Sequence, residues 1–156
     1  ARSSDLAIAK NGALAFSRSI QTAGEAFTRA VAQSLSITPQ QAEEYKRTYG
    51  IANSPLGQRI GRATFPIVSS ILTEIKKAIV FYSQKYKDSK VEQIILSGGT
   101  AKLPGIDLFF AQNTGIPTVT ANPWKSLNSD NLPKEILENG PDYSIAVGLA
   151  LKDYVR

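Results

Sequence analysis

The sequence predicts a layered α/β fold, and three patterns carry that expectation. Asn11-Gly12 separates two alternating apolar stretches, the signature of a β-hairpin, because both residues tolerate the positive φ that a two-residue turn demands. A stripe of Ile67, Val68, Ile71, Leu72, Ile75, Ala78, Ile79 and Tyr82 repeats at helical spacing and marks one long amphipathic helix. From Val91 onward the order reads strand, helix, strand, helix, the alternation that builds sheets covered by helices. At 156 residues the chain fits one domain, or one domain with an inserted lobe, and buries roughly two-thirds of its unfolded surface.

The hairpin strands run over residues 5–10 and 13–20, with Leu14, Phe16 and Arg18 on one face. Helical spacing takes over from Thr22 to Leu35, where Ala26, Phe27, Ala30, Val31 and Leu35 share a face and Thr22 is placed to cap. Thr38-Pro39-Gln40-Gln41 opens a second helix, with Pro at its first position and Gln41 three residues after the cap. That helix runs to Tyr49 and stops at Gly50. Residues 52–61 hold Asn, Ser, Pro and two Gly and read as a loop before the long helix of residues 66–86. Residues 91–96 read as a strand, and the Ile94-Ile95-Leu96 run predicts burial on both faces at the centre of the sheet. A glycine-bearing loop leads into a helix over 104–113, ended by Gly115, and a short strand over 117–121. Residues 122–140 are polar and turn-rich, with a short helix expected over 133–137. The last helix is expected over 142–154, with Ala146, Gly148 and Ala150 making one side small.

Composition removes whole classes of chemistry. With no Cys and no His, disulfides, thiolate nucleophiles and the commonest general base are absent, leaving carboxylate, hydroxyl, Lys and backbone groups. The formal charge of +5 could draw anions, but the cations are spread out, so a solvated basic surface is expected rather than a nucleic-acid site. No apolar run approaches the ~18 residues of a spanning helix and no signal peptide opens the chain, which predicts a cytoplasmic protein. The abrupt start and the lack of any Met read as a fragment or a processed product.

Three motifs could carry binding. Gly98-Gly99 directly after a buried strand lets a ligand approach the backbone, and the following helix turns free amides the same way. The same glycines serve equally as a compact strand-to-helix turn. Neither GxGxxG nor a Walker GxxxxGK[ST] is present, so any nucleotide is held by another design. Ser3 and Ser4 offer hydroxyls before the first strand, where a solvated chain end is the plainer reading. Glu43 shares a helix face with Lys46 and Arg47, which by spacing alone is a surface ion pair.

Taken in order, these elements resemble the actin-like ATPase superfamily. Gly98-Gly99-Thr100-Ala101-Lys102-Leu103-Pro104-Gly105 is similar to its adenosine motif: two Gly after a strand, a variable stretch, then Pro-Gly. Ala1-Arg2-Ser3-Ser4-Asp5-Leu6-Ala7-Ile8 resembles its second phosphate motif just after the Asp-Ile-Gly, with Ser3-Ser4 in place of the usual threonines. Thr22-Ala23-Gly24-Glu25 resembles the Gly-Gly-acid that opens the next helix, with Ala23 replacing the first Gly. Ala42-Glu43-Glu44-Tyr45-Lys46 is similar to the Glu-x-x-Lys helix lining the ribose and adenine side in MreB and DnaK-type relatives. Residues 16–20, 46–50, 96–105, Asn122-Pro123-Trp124 and 143–150 resemble the PilM family of type IV pilus assembly. The FtsA family shares the adenosine motif but continues into a membrane-binding amphipathic tail.

The resemblance implies the C-terminal half of a PilM-type protein: a ribonuclease-H-like α/β core of residues 1–21 and 65–156 with a small helical lobe at 22–64. It implies ATP in a cleft completed by an N-terminal actin-like half, with Mg²⁺ held mainly outside this chain and no hydrolysis by this half alone. Ser3, Ser4 and Gly24 would sit by the phosphates, Glu43, Lys46 and Arg47 by ribose and base, and Gly98, Gly99 and Thr100 against adenosine. A PilN-like inner-membrane protein would bind through the other half, self-association is open, and the protein would be cytoplasmic and peripheral to the inner membrane. The alternatives are a nucleotide-free interaction module on the same fold and an FtsA-type cell-division fragment.

Overall fold

The computed structural model of the chain describes residues 2–127, 131–152 and 154. Strands β1 (Ser4–Lys10) and β2 (Ala13–Ile20) pair antiparallel around Asn11 and Gly12, whose φ values of 50° and 77° are those of a two-residue hairpin turn. A register shift between Ile8 and Ala9 marks a bulge that adds twist to the hairpin. The hairpin lies on α3 (Pro55–Lys85): Phe16 stacks on Phe81 with centroids 5.3 Å apart, and Arg18 Nε reaches Glu74 Oε2 at 3.1 Å.

Two helices follow. In α1 (Gly24–Leu35) the cap position is Ala23, which makes no side-chain bond, so the expected Thr22 cap is corrected. Thr22 belongs to the turn before the helix: its N–H donates to Ile20 O at 2.7 Å, and its carbonyl accepts the Ser4 hydroxyl at 2.7 Å. In α2 (Pro39–Tyr49) the Thr38–Gln41 capping box is complete, and Gly50 closes the helix as the spacing predicts.

The third helix departs most from expectation. Residues 55–65 are helical rather than loop, and α3 runs unbroken for 31 residues with Pro66 inside it. Ser54 caps it by accepting from Gly57 N–H at 3.0 Å, and Pro55 occupies the first turn, where no amide bond is lost. What holds a segment so rich in Gly and Pro in a helix is burial, with Ile60 and Thr64 fully enclosed. Ile60 joins Val31 and Ala42 in one cluster, while Val68, Leu72 and Ile75 further along join Phe27, Leu103, Ile106 and Phe110 in another. The single helix therefore serves both clusters, and the lobe boundary expected at 64/65 falls inside it.

Strand β3 (Ile94–Leu96) pairs parallel with β4 (Thr118–Thr120), with α4 (Ile106–Thr114) between them in sequence and a 3₁₀ turn at Gly99–Lys102. The expectation of a doubly buried central strand is corrected. Among the described residues β3 has three residues, pairs only with β4, and leaves Ile95 62% exposed. An apolar run needs a second strand and a second covering layer to be buried twice, and here its far edge faces an open groove beside β1. A 3₁₀ turn at Pro123–Ser126, α5 (Lys134–Glu138) and α6 (Gly140–Leu151) complete the chain. The last helix is expected to reach Tyr154, which instead sits in a turn. Residue 153 of that helix and residues 128–130 of the polar segment lie outside the described residues, as does residue 1 of the resemblance to the phosphate motif.

Candidate functional site

A cleft of about 990 Å³ opens between two walls. One is built by the start of α1 and one face of α2, the other by the 3₁₀ turn after β3 and the start of α6. Gly24 lets the walls meet at the bottom, since a Cβ there would stand 2.9 Å from Thr100 Oγ1.

Lys46 organises the first wall. It is 6% exposed, and its ammonium donates to Glu43 Oε2 at 2.5 Å, Thr28 Oγ1 at 3.0 Å and Gly24 O at 3.3 Å. All three donors of the buried charge are thus engaged within the protein, as a buried ammonium requires. Glu43 also takes a hydrogen bond from Thr28 Oγ1 on Oε2 at 2.5 Å and from Arg47 Nε on Oε1 at 2.9 Å. Partial burial pushes the Glu43 carboxyl up, but the combined hydrogen bonds from Lys46, Thr28 and Arg47 and the Lys46 charge outweigh it and lower the pKa from 4.5 to about 2. The result is a carboxylate held ionised and fixed in place, with acceptor capacity left on the oxygen that meets only Arg47.

The second wall is mostly backbone. Gly98 has φ 82° and ψ 174°, a conformation open only to glycine, and donates to Pro141 O at 2.8 Å. This ties the turn to α6, and Lys102 strengthens the tie by donating to Asn139 Oδ1 at 2.7 Å and pairing with Asp142. Gly99 borders the cleft with open space: a Cβ added there would meet nothing nearer than Asp142 Oδ1 at 3.5 Å.

Of the residues singled out in the sequence, the cleft gathers Gly24, Glu43, Lys46, Arg47, Gly99 and Thr100. Gly98 is set back in the turn. Ser4 starts β1 with its hydroxyl on Thr22 O, and Ser3 is exposed just before it. Sequence reasoning missed Thr28, Lys102, Asn139 and Asp142. Thr28 stands one helical turn after Gly24, a spacing that could have flagged it, whereas the approach of residues 139 and 142 to Lys102 depends on tertiary packing alone. Among the described residues no group of three or more His, Cys, Asp or Glu could hold a metal ion, and no helix is long and apolar enough to cross a membrane.

Residues 1–154 match the family of type IV pilus assembly protein PilM. The chain belongs to the PilM family. Among solved structures, the PilM-family chain is similar to one in the PilM–PilN type IV pilus biogenesis complex, with 27% identity and a TM-score of 0.77. That match covers 97% of this chain and 43% of the other, so this chain spans less than half the length of its relative. It also resembles the ethanolamine utilization protein EutJ from Carboxydothermus hydrogenoformans, at 19% identity and TM-score 0.66 over 96% of this chain and 45% of that one. MreB 5 of Spiroplasma citri bound to AMPPNP matches at 15% identity and TM-score 0.63, over 99% of this chain and 50% of that one. These neighbours share the actin-like fold, which is the fold of this PilM-family chain.

Proposed function

We propose that this chain forms one side of an ATP site in a cytoplasmic scaffold protein of type IV pilus assembly. The observation that carries the reading is the pairing of Glu43 with the bare turn opposite it. A carboxylate lowered to about 2 and immobilised by three partners lines the same cleft as Gly99, which has no side chain and open space before it. Ribose hydroxyls need such an acceptor, and a base needs a surface without side-chain branches to lie against. Arg47, 77% exposed at its side chain, would lie along the base while its Nε holds Glu43. The first turn of α1 has no side-chain cap, and its amides would meet the phosphates at the Gly24 end of the cleft, with Ser3 and Ser4 at the start of β1 beside it. Lys46 acts on ligand through Glu43, because its own donors are already taken. Mg²⁺ would be held mainly by residues outside this chain, and an N-terminal actin-like half would close the cleft.

The solved relative is a complex of PilM with PilN. By extension, a PilN-like inner-membrane protein would recruit this protein to the membrane through surface beyond these residues, with self-association as a further contact. A second reading has one observation in its favour: the Lys46 cluster is complete without any ligand, as it would be in an interaction module that binds no nucleotide. Calorimetric titration with ATP separates the two. The longer natural protein should bind tightly, the 156-residue chain weakly or not at all, and Glu43→Gln in the longer protein should lose about tenfold in affinity, the range for one charged hydrogen bond. Absence of ATP binding by the longer protein would leave the interaction module standing.

A further inference from the structure

We propose that the outer face of the last turns of α3, with the turn that follows it, is a direct contact surface for an anionic lipid bilayer, beyond any recruitment through a protein partner. None of its residues lines the cleft, so the inference stands apart from nucleotide binding.

Helical spacing sets two ridges side by side on that face, Lys76-Val80-Gln84 and Lys77-Phe81-Lys85, each stepping by four residues. All six side chains are exposed, and Val80 and Phe81 stay 55% and 46% open to solvent in the middle of the two ridges. The inward side of the same turns supplies the core through Ile75, Ala78 and Tyr82. Val80 belongs to neither core cluster, and the ring of Phe81 is held from the side by Phe16 of β2, 5.3 Å away. Apolar side chains flanked by lysines one helical turn away mark a helix that lies in a membrane interface. There the lysine stems run along the apolar zone and their ammonium groups reach the headgroups.

Charge selects the occupant. Residues 4–20 and 74–90 hold seven Lys or Arg against three Asp or Glu, a net +4 of the chain's +5. The sequence scatters these cations, and the fold collects them. Lys10 from β1 and Lys85 from α3 lie over the same Tyr86 ring, their Nζ atoms 4.4 and 5.4 Å from its centroid. Among the described residues, Lys10, Lys76, Lys85, Lys87 and Lys90 pair with no carboxylate, and Arg18 and Lys77 share that of Glu74. Cations gathered at one end repel one another, and an anionic surface relieves the repulsion. Shape points the same way. The outer side of a helix is convex and meets a flat bilayer along its length, whereas a peptide needs a groove to lie in. A second copy of this chain would bring like charge to like charge. No helix among the described residues is long and apolar enough to cross a membrane, so the contact is one of lying on its surface.

The test is co-sedimentation of the longer natural protein, with no other protein present, on vesicles of phosphatidylcholine alone or with about 30% phosphatidylserine. Binding should require phosphatidylserine and fall at least about tenfold as salt rises from about 0.1 M to about 0.5 M. The double variant Lys76→Glu, Lys87→Glu should lose at least about tenfold at low salt, one lysine near the surface being worth about fivefold. Val80→Ser should lose about threefold with its salt dependence unchanged, because it removes apolar burial alone. Should the first pair disturb the helix, Lys87→Glu with Lys90→Glu, both beyond the end of α3, reads the same loss. Equal binding to the two vesicles, binding to neither, or full retention by both charge-reversed variants would each overturn the proposal. So would release by heparin together with no effect of Val80→Ser, which assigns the patch to a polyanion.

Discussion

Replacing Lys46 by Met tests whether the ammonium is what holds the Glu43 carboxylate. Met keeps the length and apolar stem and removes only the charge and its three donors. Lowering the carboxyl from 4.5 to about 2 corresponds to a net of about 3.4 kcal/mol before screening, the bonds from Lys46, Thr28 and Arg47 and the Lys46 charge having outweighed the cost of burial. The Glu43 side chain is 36% exposed, so screening reduces the share that appears in stability to about 1–2 kcal/mol. Leaving Gly24 O and Thr28 short of their donor brings the expected loss to about 2–3 kcal/mol at pH 7. The sign with pH follows from a depressed carboxyl. Its contribution is complete above 4.5 and disappears as pH falls through about 2, so acid removes it from the natural protein. The variant has little of it to lose, and the gap between the two proteins should narrow between pH 5 and pH 2. Urea unfolding of both at several pH values measures this, and an NMR titration of Glu43 should show its pKa rising toward 4.5 in the variant. A gap below about 0.5 kcal/mol at pH 7, or one that stays constant into acid, would refute the role given to Lys46, being no more than an exposed pair contributes.

Gly50→Ala should destabilise by about 3 kcal/mol or more in denaturant unfolding. Its φ is +52° and an added Cβ would lie 2.3 Å from Pro104 O, backbone that cannot swing aside. Gly99→Val in the longer protein should cost under about 1 kcal/mol of stability, because the position has room, yet weaken ATP binding at least about tenfold by filling the turn that faces the base. Retained affinity by calorimetry would mean that the turn is not a ligand wall. Pro66→Ala should raise stability by about 1–2 kcal/mol by restoring an amide donor inside α3, the gain from the hydrogen bond exceeding the loss of the proline's restraint on the unfolded chain.

Where local chemistry decides, the sequence is legible. Asn11-Gly12 can serve few purposes other than a tight hairpin, and Thr38 to Gln41 writes out a helix start with every donor assigned. Helical spacing likewise puts Glu43 beside Lys46 and Arg47. What spacing cannot say is that Lys46 is buried while Arg47 is exposed, which follows from Thr28 and Gly24 closing over it. The same blindness affects residues 55–65. Gly57, Gly61 and Pro66 each disfavour a helix locally, and only the enclosure of Ile60 and Thr64 by neighbouring helices overrides them. The β3 run reads correctly as a strand, but its place in a sheet depends on partners that no local run encodes.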